Sequence, residues 1–206
     1  MTILSQLLQH KIIAIIRGAQ PTDVLPIVQA LVEGGIKAVE ITLNSKDAIR
    51  LINEVSNHLQ DKMLVGAGTV LDAASATKAI EAGAQFIISP SVDIETIELT
   101  KQKGKVSIPG AFTATEIVTA YKAGADLIKV FPASSPQYIK DLMAPLSHIP
   151  MMPTGGINLE NIKDFKKAGA VAFGIGSSLV DTKQAITKTY LEQLTTKAKQ
   201  FVQSVL

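Results

Sequence analysis

The sequence predicts a single (β/α)8 TIM barrel over residues 1–206, and three observations carry that prediction. First, a short element recurs four times: Glu33-Gly34-Gly35-Ile36, Glu81-Ala82-Gly83-Ala84, Lys122-Ala123-Gly124-Ala125 and Lys167-Ala168-Gly169-Ala170. Each closes an Ala-rich amphipathic stretch and opens a short apolar run, and Gly suits the left-handed position that ends a helix. Second, eight apolar runs of strand length begin roughly 20–26 residues apart, with a helical pattern in each gap. Third, no Gly-x-Gly-x-x-Gly follows the first run. The rival alternating architecture, an open doubly wound sheet, lacks that support for dinucleotide binding, and eight even units favour closure.

The candidate strands, in order, are residues 12–16, 38–43, 63–65, 85–89, 105–108, 127–131, 149–152 and 171–175. Their continuous apolar character fits a parallel sheet covered by helices on its outer face. Thr22-Asp23 after Pro21, Asp72, Asp93, Thr113 and Asn158 read as helix starts, and a last helix is expected from about Thr182 to Val205. The segment from Met1 to His10 lacks the basic region of a targeting signal, and Gly, Pro or a charge interrupts every apolar run before a membrane span is reached.

Composition narrows the chemistry. Of the residues, 47% are hydrophobic and only 4% aromatic, so aliphatic side chains and Ala must build the core. Twenty basic against eighteen acidic residues give a formal charge of +2. With the signs interspersed, neither nucleic acid nor a membrane surface is an expected partner. Zero Cys excludes disulfide scaffolds, Cys-ligated zinc and thiol catalysis, and fits a reducing cytoplasm. His10 and His148 precede the first and seventh strands, and His58 lies near the end of the helix after the second strand. No His therefore stands at a strand end as base or ligand, and no metal site or metal-dependent chemistry is expected.

Barrel chemistry sits at the C-terminal ends of strands. Five residues past the third-position Gly of each repeat lie Glu40, Ile88, Lys129 and Gly174. They come from the second, fourth, sixth and eighth strands, which supply one layer of a barrel interior. Glu40 and Lys129 are thus expected to share a layer, each within apolar sequence. Burial drives Lys toward its neutral amine, the nucleophile of Schiff-base chemistry. An inert Lys–Glu pair is the alternative, although apolar residues fill a core at least as well.

Other polar groups follow at the same face. Thr154-Gly155-Gly156 ends the seventh strand and Gly174-Ile175-Gly176-Ser177-Ser178 the eighth, the usual phosphate loops of this architecture. Their N–H groups, with a helix N-terminus expected after Ser177, would bind the oxygens. Arg17 after the first strand could clamp a carboxylate bidentately or simply be a surface residue. Thr69, after Gly66-Ala67-Gly68, could line the site or merely cap the next helix.

Together these residues resemble the KDPG/4-hydroxy-2-oxoglutarate aldolase family, where KDPG is 2-keto-3-deoxy-6-phosphogluconate. The matching pieces are Ile12-Ile13-Ala14-Ile15-Ile16-Arg17, Val39-Glu40-Ile41-Thr42-Leu43, Gly66-Ala67-Gly68-Thr69-Val70, Ile88-Ser89-Pro90, Ile108-Pro109-Gly110, Ile128-Lys129-Val130-Phe131-Pro132 and Pro153-Thr154-Gly155-Gly156-Ile157. They run in order along essentially the whole chain. The resemblance implies a class I aldolase that yields pyruvate and D-glyceraldehyde 3-phosphate, with 4-hydroxy-2-oxoglutarate as a further substrate. It implies a cytoplasmic homotrimer that needs neither cofactor nor metal.

By the same resemblance Lys129 forms the Schiff base and Glu40 is the general acid/base, working through a water. Arg17 and Thr69 line the carboxylate pocket, Pro90 and Phe131 shape it, and Thr154 contacts the hydroxylated chain. Gly155, Gly156, Gly176 and Ser178 hold the phosphate. One position departs: Asn44 stands where the gluconate branch often carries a carboxylate-binding Arg. Leu43-Asn44-Ser45 and residues 131–140 look like the 2-dehydro-3-deoxy-6-phosphogalactonate aldolases, whereas Thr154 looks like the gluconate branch. Gluconate is the expected substrate and galactonate the alternative. A more distant alternative is another phosphate-binding barrel enzyme, an epimerase or a thiamin-phosphate-synthase-like transferase.

Overall fold

The computed structural model describes all residues, 1–206. Nine strands follow one another: β1 (Ile12–Ile16), β2 (Ala38–Thr42), β3 (Leu64–Gly68), β4 (Phe86–Ile88), β5 (Val106–Ile108), β6 (Gly110–Ala111), β7 (Ile128–Val130), β8 (Met151–Pro153) and β9 (Phe173–Ile175). Pro109 interrupts the fifth barrel strand, because a residue without N–H cannot continue the ladder, so β5 and β6 are its two halves. One run of parallel neighbours is β5-β4-β3-β2-β1-β9, and a second is β6-β7-β8. A bridge between Thr154 and Gly174 joins β8 to β9 and closes the ring. The expected (β/α)8 barrel is the observed fold.

The helices that follow strands are α2 (Pro21–Glu33), α3 (Ala48–Leu59), α4 (Ala73–Glu81), α5 (Ile94–Gln102), α6 (Ala114–Lys122), α7 (Pro136–Leu146), α8 (Ile162–Lys167) and α9 (Lys188–Val205). Gly35, Gly83, Gly124 and Gly169, which follow four of them, all adopt positive φ, between +89° and +108°. Asp72, Asp93 and Thr113 cap their helices as the sequence suggests, Thr113 in a reciprocal capping box with Glu116.

Three helix starts differ. α2 begins at Pro21 behind Gln20, leaving Thr22 and Asp23 inside the first turn. Asn158 instead accepts from the N–H groups of Glu160 and Asn161, folding a turn that delays α8 to Ile162. α9 starts at Lys188, capped by Thr187, not near Thr182. Asp181 and Thr182 are drawn into a loop over the barrel mouth by hydrogen bonds described below.

The strand period of two sorts the side chains. Ile13, Ala38, Leu64, Phe86, Ile88, Val106, Ile108, Leu127, Met152 and Ala172 form an inner apolar cluster. Their alternate neighbours, such as Ile12, Val39, Ile128 and Phe173, pack outward under the helices in the main core of 49 buried residues. An additional helix, α1 (Ile3–His10), is capped by Thr2 and inserts Leu7 into the inner cluster, with Ile3, Leu4 and Leu8 packed beside it. It plugs the N-terminal end, so the barrel opens only at its C-terminal end.

Candidate active site

On β2 the inward positions are Ala38, Glu40 and Thr42; on β7 and the residues flanking it they are Leu127, Lys129 and Phe131. Glu40, Ile88, Lys129 and Gly174 line one small inner chamber together with Ile13, Ile15, Met152 and Thr154. The layer deduced from the repeat is therefore real. Glu40 is 1% and Lys129 2% exposed. No hydrogen bond or ion pair joins them: both Glu40 oxygens are buried without a partner, and so is Thr154 Oγ1. Glu40 and Lys129 thus share a layer without forming a bonded pair.

Burial sets the electrostatics. It raises the Glu40 carboxyl above its ordinary value against the opposing pull of Lys129 and Arg17. It lowers the Lys129 ammonium, with Glu40 acting the other way and Arg17 adding to the drop. Both shifts favour the neutral forms, an amine and a carboxylic acid held in one chamber. Lys129 Nζ stands 4.9 Å from the centroid of the Phe131 ring, two residues along the same strand face.

Two glycines make room for this layer. A Cβ on Gly68 would stand 2.6 Å from Glu40 Cδ, and one on Gly174 would stand 2.3 Å from Thr154 Oγ1. Larger side chains at either place would occupy the volume of the polar groups themselves.

Above the chamber opens a cavity of about 620 Å3. Arg17, Lys129, Phe131, Thr154, Gly155, Gly156, Gly176 and Ser178 all line it, so the structure gathers eight of the residues singled out from the sequence. Glu40 sits beneath, sharing Lys129 and Thr154 with this cavity. Thr69 and Pro90 end their strands on the same face but lie outside its walls, as does Asn44. Thr69 holds φ +56°, a costly conformation for a β-branched residue.

At the far end, the backbone N–H groups of Gly155, Gly156, Ser177 and Ser178 make no internal hydrogen bond. Gly155 and Gly156 both take positive φ. The Ser178 hydroxyl is already engaged, donating to the Ile157 carbonyl and tying the two loops together, so only its N–H is free. The helix expected after Ser177 is absent: Leu179 and Val180 N–H both close on Gly176 O, giving a single turn. That turn lacks the aligned peptide units from which a helix dipole is summed.

Several residues here escaped the sequence reading. Ser45 accepts from Gly18 N–H at 2.8 Å and bonds Thr42 at 2.9 Å, fastening the Arg17 loop to the end of β2. Asn161 Nδ2 donates to Gly156 O at 2.8 Å and steadies the glycine loop. Thr182 Oγ1 donates to Arg17 O at 2.7 Å, and Asp181, Thr182 and Lys183 join the cavity wall. Such contacts link segments far apart in sequence and leave no periodic trace. No helix is long and apolar enough to cross a membrane, and no group of three or more His, Cys, Asp or Glu could hold a metal.

Comparison with known proteins adds independent findings. A family model described as KDPG and KHG aldolase matches residues 3–196. A 2-dehydro-3-deoxy-6-phosphogalactonate aldolase of Escherichia coli is 39% identical over 181 residues, covering 86% of this chain and 88% of its own. A 2-dehydro-3-deoxy-phosphogluconate aldolase of Pseudomonas aeruginosa is 35% identical, covering 76% and 72%. Among solved structures, a KDPG aldolase of Legionella pneumophila, with pyruvate captured as a covalent carbinolamine, superposes with a TM-score of 0.86 at 27% identity. That match covers 96% of this chain and 97% of that one.

Proposed function

The chain belongs to the KDPG and KHG aldolase family and is a lyase; on that premise we propose that it is a class I aldolase using Lys129 as nucleophile and Glu40 as general acid/base. Its substrate is a 2-dehydro-3-deoxy-6-phosphohexonate, cleaved to pyruvate and D-glyceraldehyde 3-phosphate. The observation that carries this reading is a buried lysine, lowered toward its amine, sharing a chamber with an unpartnered carboxyl under a cavity that ends in glycine loops. The carbinolamine of the Legionella pneumophila relative supports the same chemistry.

Neutral Lys129 attacks C2 of the keto acid, and Glu40 supplies the proton that lets the carbinolamine lose water. The resulting iminium is the electron sink. Glu40, now a carboxylate, takes the C4 hydroxyl proton through a water as the C3–C4 bond breaks. The aldehyde departs, the enamine left on Lys129 takes a proton at C3, and hydrolysis frees pyruvate. No step calls for a metal or a cofactor. Arg17 binds the carboxylate and Phe131 bounds its pocket, with Thr69 and Pro90 at neighbouring strand ends on the same face, outside the cavity wall. Thr154 meets the hydroxyl chain, and Gly155, Gly156, Gly176 and Ser178 receive the phosphate.

The gluconate epimer is the first reading, since Thr154 lines the cavity and Asn44 does not. The galactonate epimer is the second, favoured by Leu43-Asn44-Ser45 and by the 39% identical relative. Both give the same products. The unphosphorylated 4-hydroxy-2-oxoglutarate is a further substrate on this reading. A homotrimer is the proposed assembly, with Leu71, Ile94 and Phe112 as exposed apolar residues after three successive strands available for contact between copies. The cytoplasm is the proposed location, since a phosphorylated substrate does not cross membranes unaided.

Borohydride reduction in the presence of pyruvate tests the mechanism. Mass spectrometry should locate the reduced adduct on Lys129. Lys129→Ala should abolish turnover, and Glu40→Gln should lose about 10²–10⁴-fold in kcat while still binding substrate. An adduct elsewhere, or substantial activity in Lys129→Ala, would overturn the assignment. Comparing kcat/KM for the two epimers decides between the substrates.

A further inference from the structure

We infer that Lys183 is a specificity-determining residue: it supplies the side-chain cation at the phosphate end of the cavity and makes the site prefer phosphorylated substrates. The inference rests on the aldolase reading above and begins with the three cations on the cavity wall, Arg17, Lys129 and Lys183. Lys129 is committed to the reacting carbon. Arg17 lies close enough to Glu40 and Lys129 for both to feel its charge, which assigns it to the carboxylate end. That leaves Lys183, on the loop that continues from Ser177 and Ser178, as the cation free for the phosphate.

A cation complements the charge that the phosphate end would receive. A phosphate monoester carries a charge of about −1.5 to −2 at neutral pH. The N–H groups of Gly155, Gly156, Ser177 and Ser178 are dipoles without net charge, and the single turn after Gly176 contributes no helix dipole. Asp181 also lines the wall and would repel the phosphate. Its carboxylate accepts from Lys183 N at 3.1 Å and Gln184 Nε2 at 2.7 Å, and it feels the charges of Lys183 and Lys197.

The same bonds fix the loop that carries Lys183. Thr182 ties it to Arg17 O at 2.7 Å, and Asp181 N–H donates to the Tyr190 hydroxyl at 3.0 Å. The backbone beside Lys183 is thereby anchored to the end of β1 and to α9. Its side chain is exposed and makes no ion pair within the chain. A flexible ammonium on a fixed base is suited to meeting a phosphate as a point charge.

The test compares wild type, Lys183→Ala and Lys183→Arg on a 2-keto-3-deoxyhexonate with and without its 6-phosphate, and measures inorganic phosphate binding by calorimetry. In Lys183→Ala the ratio of kcat/KM for the two substrates should fall about tenfold, through KM. Phosphate affinity should weaken by a similar factor, and Lys183→Arg should retain most of both. An unchanged ratio, including equal losses on both substrates, would overturn the inference, as would unchanged phosphate affinity. Borohydride trapping of pyruvate in the wild type reports separately on the aldolase reading: without an adduct that reading fails, while phosphate affinity still decides the role of Lys183.

Discussion

Gly68→Ala tests whether the position of the Glu40 carboxyl, and not merely its presence, governs turnover. Gly68 does not need positive φ, so Ala can adopt the backbone of this strand end. The obstacle is a single group: the new Cβ would stand 2.6 Å from Glu40 Cδ and 2.8 Å from each carboxyl oxygen. Ordinary contact begins at 3.4 Å, so the carboxyl must retreat by about 0.8 Å. Its chamber is walled by Ile13, Ile15, Ile88, Met152 and Thr154, which leaves little slack. A misplacement near 1 Å costs about 10²-fold, and kcat should fall by that order. Crowding costs about 1–3 kcal/mol, partly offset by about 0.4–1 kcal/mol from the stiffer unfolded chain, so the fold should survive. The assay is steady-state cleavage beside thermal unfolding, which separates a lost rate from a lost fold. A Gly68→Ala enzyme within about threefold of wild-type kcat would refute the reasoning.

Lys129→Met should abolish activity yet stabilise the protein by about 1–2 kcal/mol, seen in calorimetry as a Tm rise of about 2–8 °C. The sign with pH follows from Lys129 being lowered in the fold: between that lowered value and 10.5 the unfolded chain binds more protons, so wild-type stability rises with pH there and the advantage of Met shrinks. A Lys129→Met variant less stable than wild type at neutral pH would contradict the burial cost. Leu7→Ala should cost about 2–4 kcal/mol in urea unfolding, because Leu7 is 1% exposed and plugs the inner cluster; a loss below about 1 kcal/mol would mean that α1 is not a plug. Thr113→Ala should cost about 1 kcal/mol through the broken capping box, measured the same way, with kcat unchanged.

The strands were legible because burial on both faces writes them as uninterrupted apolar runs, and the four Gly repeats mark where helices stop. The shared layer of Glu40 and Lys129 was legible for the same reason: strand geometry has a fixed period, and an internal repeat turns it into a ruler. Helix α1 left a fainter signal, the stripe Ile3, Leu4, Leu7 and Leu8, whose burial against the barrel floor is a tertiary event. The start of α9 was misplaced because Asp181 and Thr182 answer to Tyr190 and Arg17 and not to their own neighbours.

What the sequence determined by itself is therefore the barrel, its chemistry-bearing strands and the pairing of an acid with a lysine, all set by local period and polarity. The tertiary structure alone decided that this pair stands unbonded, that the Ser178 hydroxyl is spent on Ile157, and that Lys183 joins the cavity wall. It also decided that Thr69, Pro90 and Asn44 stay off the cavity wall. Each of these depends on which loops meet across the barrel mouth. Contacts between distant segments follow from ring closure and side-chain packing, for which a linear pattern has no period.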